Sequence, residues 1–313
     1  MLSTLSHTSP TMTDDRPVSA AEVHKLDASE VLLTDWQHIG PDHFGICARW
    51  PALHRFYAEA AHDRRDALML IECVRQSIPM LCHGAYDTPF GFRQAWEDLQ
   101  FAVEPSILGR TGTDLEIRLD VRCSDVIRRG TRVGGMTMDV RASWQGLPAA
   151  TVRTRFNNQS PAVYQRLRGA NGDMATAHAA ALAPGRPVSP ELVGRSSAAD
   201  VVLAPAPDHP PYTWFMRNDL DHPILFDHPV DHSPGMLLLE AARQAALARC
   251  SQAATVVGMT TRFIRYAEFD VPCLVSTAPL PVTDGRDGAQ TVRVALSQND
   301  RVVFTADVTT ARV

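Results

Sequence analysis

The chain has 313 residues, of which 45% are hydrophobic and 21% are charged, and its formal net charge is -5. This length exceeds the usual single domain and predicts two domains, each large enough for its own core. The mild acidic balance and the absence of a long basic run argue against nucleic acid or an anionic membrane as the main partner, and no apolar run reaches the roughly 20 residues of a membrane helix.

Residues 1–22 are predicted to form a disordered lead. They are rich in Ser, Thr, Pro and Asp and lack the basic-then-apolar pattern of a secretory signal, so a cytoplasmic location is expected. The six cysteines are scattered without a C-x-x-C pair, which predicts reduced thiols.

The first domain, residues 23–168, is predicted to begin with a strand and a buried helix. Val31-Leu32-Leu33 is a short apolar run typical of a buried strand. Glu72, Arg75 and Gln76 stand at i, i+3 and i+4 in an apolar segment, so they share one face of a helix that is apolar on its other sides. Pro79 is expected to kink or end this helix.

A linker is predicted at residues 169–190, which are rich in Ala, Gly and Pro, and residues 191–313 form the second predicted domain. There Val201-Val202-Leu203 is followed by Glu240, Arg243 and Gln244 in another apolar segment. The two polar sets lie 168 positions apart and the two strand runs lie 170 apart. Because order and spacing are both preserved, the chain is predicted to contain one unit twice.

Each domain also contains a predicted hairpin, in which apolar and polar residues alternate around a turn. The predicted strands are residues 137–144 and 150–156 around Gln145-Gly146, and residues 292–296 and 302–308 around Asn299-Asp300. A buried helix followed by antiparallel strands is an α+β unit. This arrangement predicts a tandem hotdog fold, in which two curled antiparallel sheets each wrap a central helix and pair as a pseudo-dimer within one chain.

The start of the second helix is predicted to bind developing negative charge. Ser233 suits the N-cap and Pro234 suits the first helical position. The backbone amides of Gly235 and Met236 then have no acceptor within the helix. They suit a thioester carbonyl that becomes an oxyanion.

Glu240 and Arg243 are the predicted catalytic pair. Burial is expected to raise the basicity of Glu240, which then accepts a proton from an attacking hydroxyl. Arg243 neutralises Glu240, orients it or holds a phosphate by two contacts. The alternative is a structural ion pair that braces the helix. Glu72 and Arg75 either complete the same site from the other domain or preserve the packing of the ancestral unit.

The loop before the second helix carries Asp227, His228, Asp231 and His232, which superficially resemble a metal-binding set. Pro229 and the proline at the helix start make this segment a loop, and no third ligand is evident elsewhere, so no metal site is expected. The loop residues are instead expected to make polar contacts or to line the mouth of a pocket.

Residues 227–245 closely resemble the signature of the A-factor biosynthesis hotdog family, and Leu33-Thr34-Asp35-Trp36 and the Glu72 helix fit the same pattern. The resemblance runs from about Val23 to the C-terminus. The helix start is also similar to that of 3-hydroxyacyl-ACP dehydratases, although the dehydratase spacing puts Phe226 where those enzymes carry a histidine.

The family resemblance implies transfer of a 3-oxoacyl group from acyl carrier protein to the hydroxyl of dihydroxyacetone phosphate, an early step toward γ-butyrolactone, furan or butenolide signals. It implies no cofactor and either a monomeric pseudo-dimer or a homodimer. Glu240, Arg243 and Glu72 are then the catalytic candidates. The substrate-binding candidates are Gly235, Met236, Gln244, His228, His232, Asp231, Arg75 and Gln76, with Arg243 or Arg75 on the phosphate. The alternatives are a hotdog thioester hydrolase or dehydratase, and a non-catalytic sensor of an acyl or lactone ligand.

Overall fold

The computed structural model of the protein describes residues 17–59, 64–109, 112–130, 132–281 and 289–313, so most of the predicted disordered lead lies outside the described residues. The elements of the first half are β1 (Leu33–Gly40), β2 (His43–Trp50), β3 (Ala58–Glu59), β4 (Arg64–Arg65), α1 (Leu68–Gly84), β5 (Arg93–Val103), α2 (Pro105–Leu108), β6 (Leu115–Arg129), β7 (Arg132–Trp144), β8 (Leu147–Gln159), α3 (Pro161–Arg168) and α4 (Met174–Ala179). Those of the second half are β9 (Leu203–Pro205), β10 (Thr213–Met216), α5 (Gly235–Leu247), β11 (Ala254–Phe263), β12 (Leu274–Leu280), β13 (Gln290–Gln298) and β14 (Arg301–Arg312).

A twelve-stranded antiparallel sheet runs through both halves, in the order β1-β2-β6-β7-β8-β5-β11-β14-β13-β12-β10-β9. Read outward from the centre, the two halves have the same succession of strands, so the duplication inferred from the sequence is visible in the topology. Strands β5 and β11 join the halves, with Leu99 opposite Thr261 and Phe101 opposite Met259. The sheet and its two long helices form the tandem hotdog that the sequence predicted.

Both predicted hairpins are confirmed. β7 pairs with β8 around Gln145-Gly146, and β13 pairs with β14 around Asn299-Asp300. Each turn has positive φ at both positions, 50° and 77° in the first and 49° and 59° in the second. This is the geometry that matches the right-handed twist of two strands joined by a two-residue loop.

Helices α1 and α5 are buried on nearly every side, as their apolar surroundings predicted. Helix α5 packs against β11 to β14 of its own half and also contacts α1. Of the two predicted effects of Pro79, a kink or an end of the helix, the end is wrong, because α1 continues to Gly84. Ile78, Met80 and Leu81 are buried around the proline, and their packing holds the helix together where Pro79 removes one backbone donor.

The two apolar runs predicted as strands, residues 31–33 and 201–203, each contribute only their last residue to a strand. β1 begins at Leu33 and β9 begins at Leu203. The preceding backbone amides, those of Leu32 and Val202, donate to side chains of the long helices instead of to a neighbouring strand. These two amide contacts to the helices belong to the ionic clusters described below.

The predicted linker at residues 169–190 contains α4, and an amide near its centre, that of Leu182, donates to the Phe269 carbonyl. All six cysteines are free thiols, and four of them are buried. Within the described ranges, no helix is long and apolar enough to cross a membrane.

Candidate active site

A buried ionic cluster lies on helix α1 of the first half. The Glu72 carboxylate accepts from Arg75 Nε at 2.9 Å and from Arg75 Nη2 at 2.8 Å. Gln76 Nε2 donates to the same carboxylate at 2.9 Å. Lys25, the only lysine of the chain, lies 3.2 Å from it. Burial alone would raise the pKa of Glu72, but Arg75 and Lys25 outweigh it and lower that pKa to about 2.

Helix α5 carries the same cluster in the second half. Glu240 accepts from Arg243 Nε at 2.8 Å and from Arg243 Nη2 at 2.9 Å, and Gln244 Nε2 donates to it at 2.6 Å. Arg195 Nε donates to Glu240 at 2.9 Å and takes the place of Lys25. The expected increase in basicity is wrong for Glu240. Burial raises its pKa, but Arg195 and Arg243 outweigh burial and lower the pKa to about 2.

The glutamine of each cluster fastens its helix to the strand that begins nearby. Gln76 Oε1 accepts from the Leu32 amide at 2.9 Å, and Gln76 Nε2 donates to the Glu30 carbonyl at 2.7 Å. Gln244 repeats both bonds, with the Val202 amide at 2.9 Å and the Asp200 carbonyl at 2.8 Å. Both glutamine side chains are buried, so their hydrogen bonds join elements of the fold.

Sequence analysis missed the second cation of each cluster, Lys25 in the first half and Arg195 in the second. Lys25 and Arg195 are separated by 170 positions, the same spacing as the two apolar runs that follow them. Arg75 Nη2 and Arg243 Nη2 also reach the carbonyls of Val23 and Val193, which are again 170 positions apart. Extending the internal repeat to these residues would therefore have found both cations.

A cavity of about 510 Å³ lies between the first-half cluster and the start of helix α5. Lys25, Glu72 and Arg75 line it on one side. Gly235 and Met236 line it on the other, together with residues of the loop before α5. The cavity therefore combines the polar face of one half with the helix start of the other.

Glu240 and Arg243, the predicted catalytic pair, lie outside the cavity wall and have no exposed surface. Asp66 closes their cluster. One oxygen of Asp66 lies 3.1 Å from Arg195 and 3.1 Å from Arg243, and the other accepts from the Leu68 amide at 2.9 Å. The Asp66 carboxylate, from the start of α1, thus covers the side of the second-half cluster that corresponds to the cavity side of the first-half cluster.

Pro234 stands 168 positions after Asp66 and carries no such carboxylate. It is the N-cap of α5, and its carbonyl accepts from the Leu237 and Leu238 amides at 3.0 and 3.2 Å. The predicted N-cap role of Ser233 is wrong, because Pro234 is the N-cap and the Ser233 hydroxyl donates to Asn218 at 2.7 Å.

The amides of Gly235 and Met236 have no acceptor within helix α5, as predicted, and both residues line the cavity. The side of α5 at Gly235 is closely packed. A Cβ added to Gly235 would lie 2.8 Å from the Trp96 ring. Glycine therefore allows Trp96 of the first half to pack against the helix start, which fixes the amides beside the ionic cluster.

The loop before α5 contributes two histidines to the cavity wall. His228 Nδ1 lies 3.5 Å from Asp227, and His232 Nδ1 lies 2.9 Å from Asp231. Asp231 itself is buried behind His232. In the part of the chain that the structure describes, no three His, Cys, Asp or Glu side chains converge as metal ligands.

Two further residues of the first half line the cavity, Arg93 and His24, and the sequence suggested a place on this wall only for Arg93. Arg93 lines it, with Cζ 5.1 Å from the centre of the Tyr164 ring. His24 lines it as well, and burial followed by the charges of His83 and Arg75 lowers its pKa to about 4. Neither belongs to a spacing pattern within its own element, so only the assembled fold brings them to the site.

Comparisons with known proteins agree with this architecture. The sequence profile of the A-factor biosynthesis hotdog domain matches residues 7–158 and 176–313. Two relatives bear the name 2-oxo-3-(phosphooxy)propyl 3-oxoalkanoate synthase. The protein from Streptomyces virginiae is 40% identical over 90% of this chain and 93% of its own length, and the protein from Streptomyces coelicolor is 37% identical over 92% and 90%.

Solved structures show the same fold at low sequence identity. A protein described as an oleoyl thioesterase from Lactobacillus plantarum superposes with a TM-score of 0.55 at 11% identity, over 88% of this chain and 98% of that one. The 12:0-ACP thioesterase from Umbellularia californica gives a TM-score of 0.50 at 9% identity, over 85% and 93%. At these identities the likeness is one of fold alone.

Proposed function

The chain belongs to the A-factor biosynthesis hotdog family, and we propose that it is an acyltransferase that makes 2-oxo-3-(phosphooxy)propyl 3-oxoalkanoate. The donor is a 3-oxoacyl thioester of acyl carrier protein, and the acceptor is a hydroxyl of dihydroxyacetone phosphate. The ester phosphate is an early intermediate of γ-butyrolactone, furan or butenolide signals. The observation that carries this proposal is the cavity that is lined both by the first residues of helix α5 and by Arg75 and Arg93 of the other half.

The amides of Gly235 and Met236 are proposed to hold the thioester carbonyl. Attack on that carbonyl puts negative charge on its oxygen, and two amides at the positive end of a buried helix stabilise such charge without rearrangement. Trp96 supports this role because its packing against Gly235 fixes the helix start.

The acceptor phosphate is proposed to bind between Arg75 and Arg93. Arg75 uses Nε and Nη2 for Glu72, so Nη1 is left for a ligand, and its side chain is 21% exposed. Arg93 stacks on Tyr164, and among the described residues no carboxylate lies within ion-pair distance of it. A guanidinium presents paired donors that match two phosphate oxygens.

The two glutamates receive different roles from those expected from the sequence. Glu72 accepts from Arg75 and Gln76 and is paired with Lys25, so we propose that it fixes the guanidinium at the cavity wall. Glu240 and Arg243 are proposed to brace the second half, because Asp66 completes their cluster and neither side chain has any exposed surface. The sequence left open whether Glu72 and Arg75 complete the site or only preserve the packing of the ancestral unit. We propose that they complete it, so that the site combines a wall from the first half with a helix start from the second.

The working unit is proposed to be one chain, with domains at residues 23–168 and 191–313, acting in the cytoplasm without a cofactor. Both walls of the cavity come from the same chain, so a second copy is not needed to complete it.

The test is to incubate the protein with a 3-oxoacyl thioester of acyl carrier protein and dihydroxyacetone phosphate, and to identify products by mass spectrometry. We expect the ester phosphate, and much less ester when dihydroxyacetone without phosphate is the acceptor. A free 3-oxo acid formed at the same rate with or without acceptor would indicate hydrolysis instead. Ligand binding without any turnover across several chain lengths would indicate a sensor.

A further inference from the structure

A carboxylate and a histidine form a dyad on the cavity wall that the second half contributes. Asp231 Oδ1 accepts from His232 Nδ1 at 2.9 Å, which fixes the neutral ring with its proton on Nδ1. Both hydrogen bonds of the His232 ring in the described structure use Nδ1. Nε2 is therefore left as a proton acceptor on a side chain that lines the cavity and is 22% exposed.

Asp231 is held rigidly behind this histidine. The Tyr164 hydroxyl donates to the oxygen that binds His232, and Arg168 Nε donates to the other oxygen at 3.0 Å. Burial alone would raise the pKa of Asp231, but hydrogen bonds from His232 and Tyr164 outweigh it and hold that pKa well below its usual range. The carboxylate thus stays ionised and orients the imidazole.

The other bases on the wall are worse placed to accept a proton. Glu72 is occupied by its cationic partners. His83 Nδ1 donates to the Thr88 carbonyl at 2.6 Å, so His24 Nε2 is the donor to His83 Nε2, 2.9 Å away. Burial and the charges of His83 and Arg75 lower the pKa of His24 to about 4, which makes its other nitrogen a weak base. His228 is 3.5 Å from Asp227, and that carboxylate already accepts from two backbone amides.

We propose that His232 is the general base of the acyl transfer, positioned by Asp231; the proposal rests on the function proposed above. His232 Nε2 takes the proton of the acceptor hydroxyl as its oxygen attacks the thioester carbon. The tetrahedral intermediate then expels the carrier thiolate as the C–S bond breaks, and the proton on Nε2 passes to that sulfur. The products are the ester and the free thiol, and the histidine is again neutral.

The position of Arg93 agrees with this role. Arg93 stacks on the ring of Tyr164, whose hydroxyl binds Asp231. One tyrosine therefore connects the proposed phosphate contact to the dyad.

The test compares His232→Asn with the wild-type enzyme in the ester phosphate assay. Asparagine keeps a donor near the Nδ1 position and removes the base, so kcat should fall by about 10²–10⁴-fold while the acceptor KM changes little. His43→Asn is the matched control, because His43 pairs with Asp120 at 2.8 Å on the sheet, away from the cavity, and its kcat should be unchanged. Added imidazole should partly restore His232→Ala and leave His43→Ala unaffected.

The role of Asp231 has its own readout. Asp231→Asn should lower kcat at a nearly constant acceptor KM, and its effect should be much less than additive with His232→Asn because the two act as one unit. Additive losses would indicate that Asp231 acts only on stability.

Three results would overturn the proposal. A folded His232→Asn enzyme, judged by its thermal unfolding, that makes ester at the wild-type rate would refute the base while leaving the acyltransferase intact. Loss of kcat in His228→Asn in place of His232→Asn would move the base to that residue. A wild-type protein that forms no ester phosphate would refute the function itself, and the base assignment with it.

Discussion

The ionic clusters on α1 and α5 are nearly identical in their internal contacts and opposite in their surroundings. In both, a glutamate binds the arginine three residues later, the glutamine four residues later and a cation from the segment before the first strand. The first faces a cavity, and the second is sealed by Asp66. The residue just ahead of the opposite helix, Asp66 in one case and Pro234 in the other, decides which cluster is open.

The comparison explains how a duplicated unit keeps one site. A buried ion pair is costly to break, because removing one partner leaves the other charge without compensation. The cluster is therefore retained in both halves as part of the helix packing. In the proposed function only the accessible cluster takes part in the chemistry, and the sealed cluster stabilises the fold.

The largest expected effect comes from breaking the sealed cluster. Glu240→Ala removes the buried carboxylate that Arg195 and Arg243 share, and we expect a loss of about 3–5 kcal/mol in the free energy of unfolding. Urea denaturation measures it. Glu72→Ala should cost less stability, because water in the cavity can solvate Arg75. Equal losses in the two variants would contradict the distinction between an open and a sealed cluster.

The next largest effect is a loss of kcat/KM, which we expect only for substitutions in the open cluster. Arg75→Met removes a proposed phosphate contact, and hydrogen bonds to charged groups are worth about 1.5–3 kcal/mol, so kcat/KM for dihydroxyacetone phosphate should fall by about 10–100-fold. Arg243→Met should lower the unfolding temperature and leave the acceptor KM of the folded fraction unchanged. An increased acceptor KM in Arg243→Met alone would restore the catalytic role that the sequence suggested for it.

The sequence predicted much of the fold because the relevant signals are local. Glu72, Arg75 and Gln76 identify a buried helix by their spacing, and the turn at Asn299-Asp300 identifies a hairpin. Whether a cluster is open or sealed could not be predicted in this way. It depends on Asp66 reaching Arg195, 129 positions away, and no periodicity within one element carries that information.

The helix start ahead of Glu240 illustrates the same limit. Its unpaired amides were predictable from Pro234 and the glycine after it, whereas the cations that line the same cavity come from the other half. Sequence analysis therefore named residues of both cavity walls but joined the helix start to the glutamate of its own helix. Glu240 was assigned to the helix start because it is close to it along the chain. In the folded protein the glutamate that shares a cavity with this helix start is Glu72 of the other half.

A smaller effect is expected where the two helix starts differ in size. Gly235 occupies the position that Ala67 has in the first half, 168 residues earlier. Gly235→Ala puts a Cβ 2.8 Å from the Trp96 ring, so the ring must move, and we expect a loss of about 1–3 kcal/mol. Thermal unfolding measures the loss, and tryptophan fluorescence reports the ring. Ala67→Gly is the reciprocal variant, and it should leave the fluorescence unchanged.

The smallest expected effect lies in the hairpin turns, far from both clusters. Gln145 has φ of 50°, and its counterpart in the second half is Asn299, with φ of 49°. Asparagine tolerates this left-handed conformation better than glutamine, because its short side chain bonds locally to the backbone. Gln145→Asn should therefore stabilise the protein by about 0.5 kcal/mol, and Asn299→Gln should destabilise it by a similar amount. Both residues are exposed, so opposite shifts in the urea midpoint would isolate the turn, and shifts of the same sign would show that the two hairpins are not equivalent.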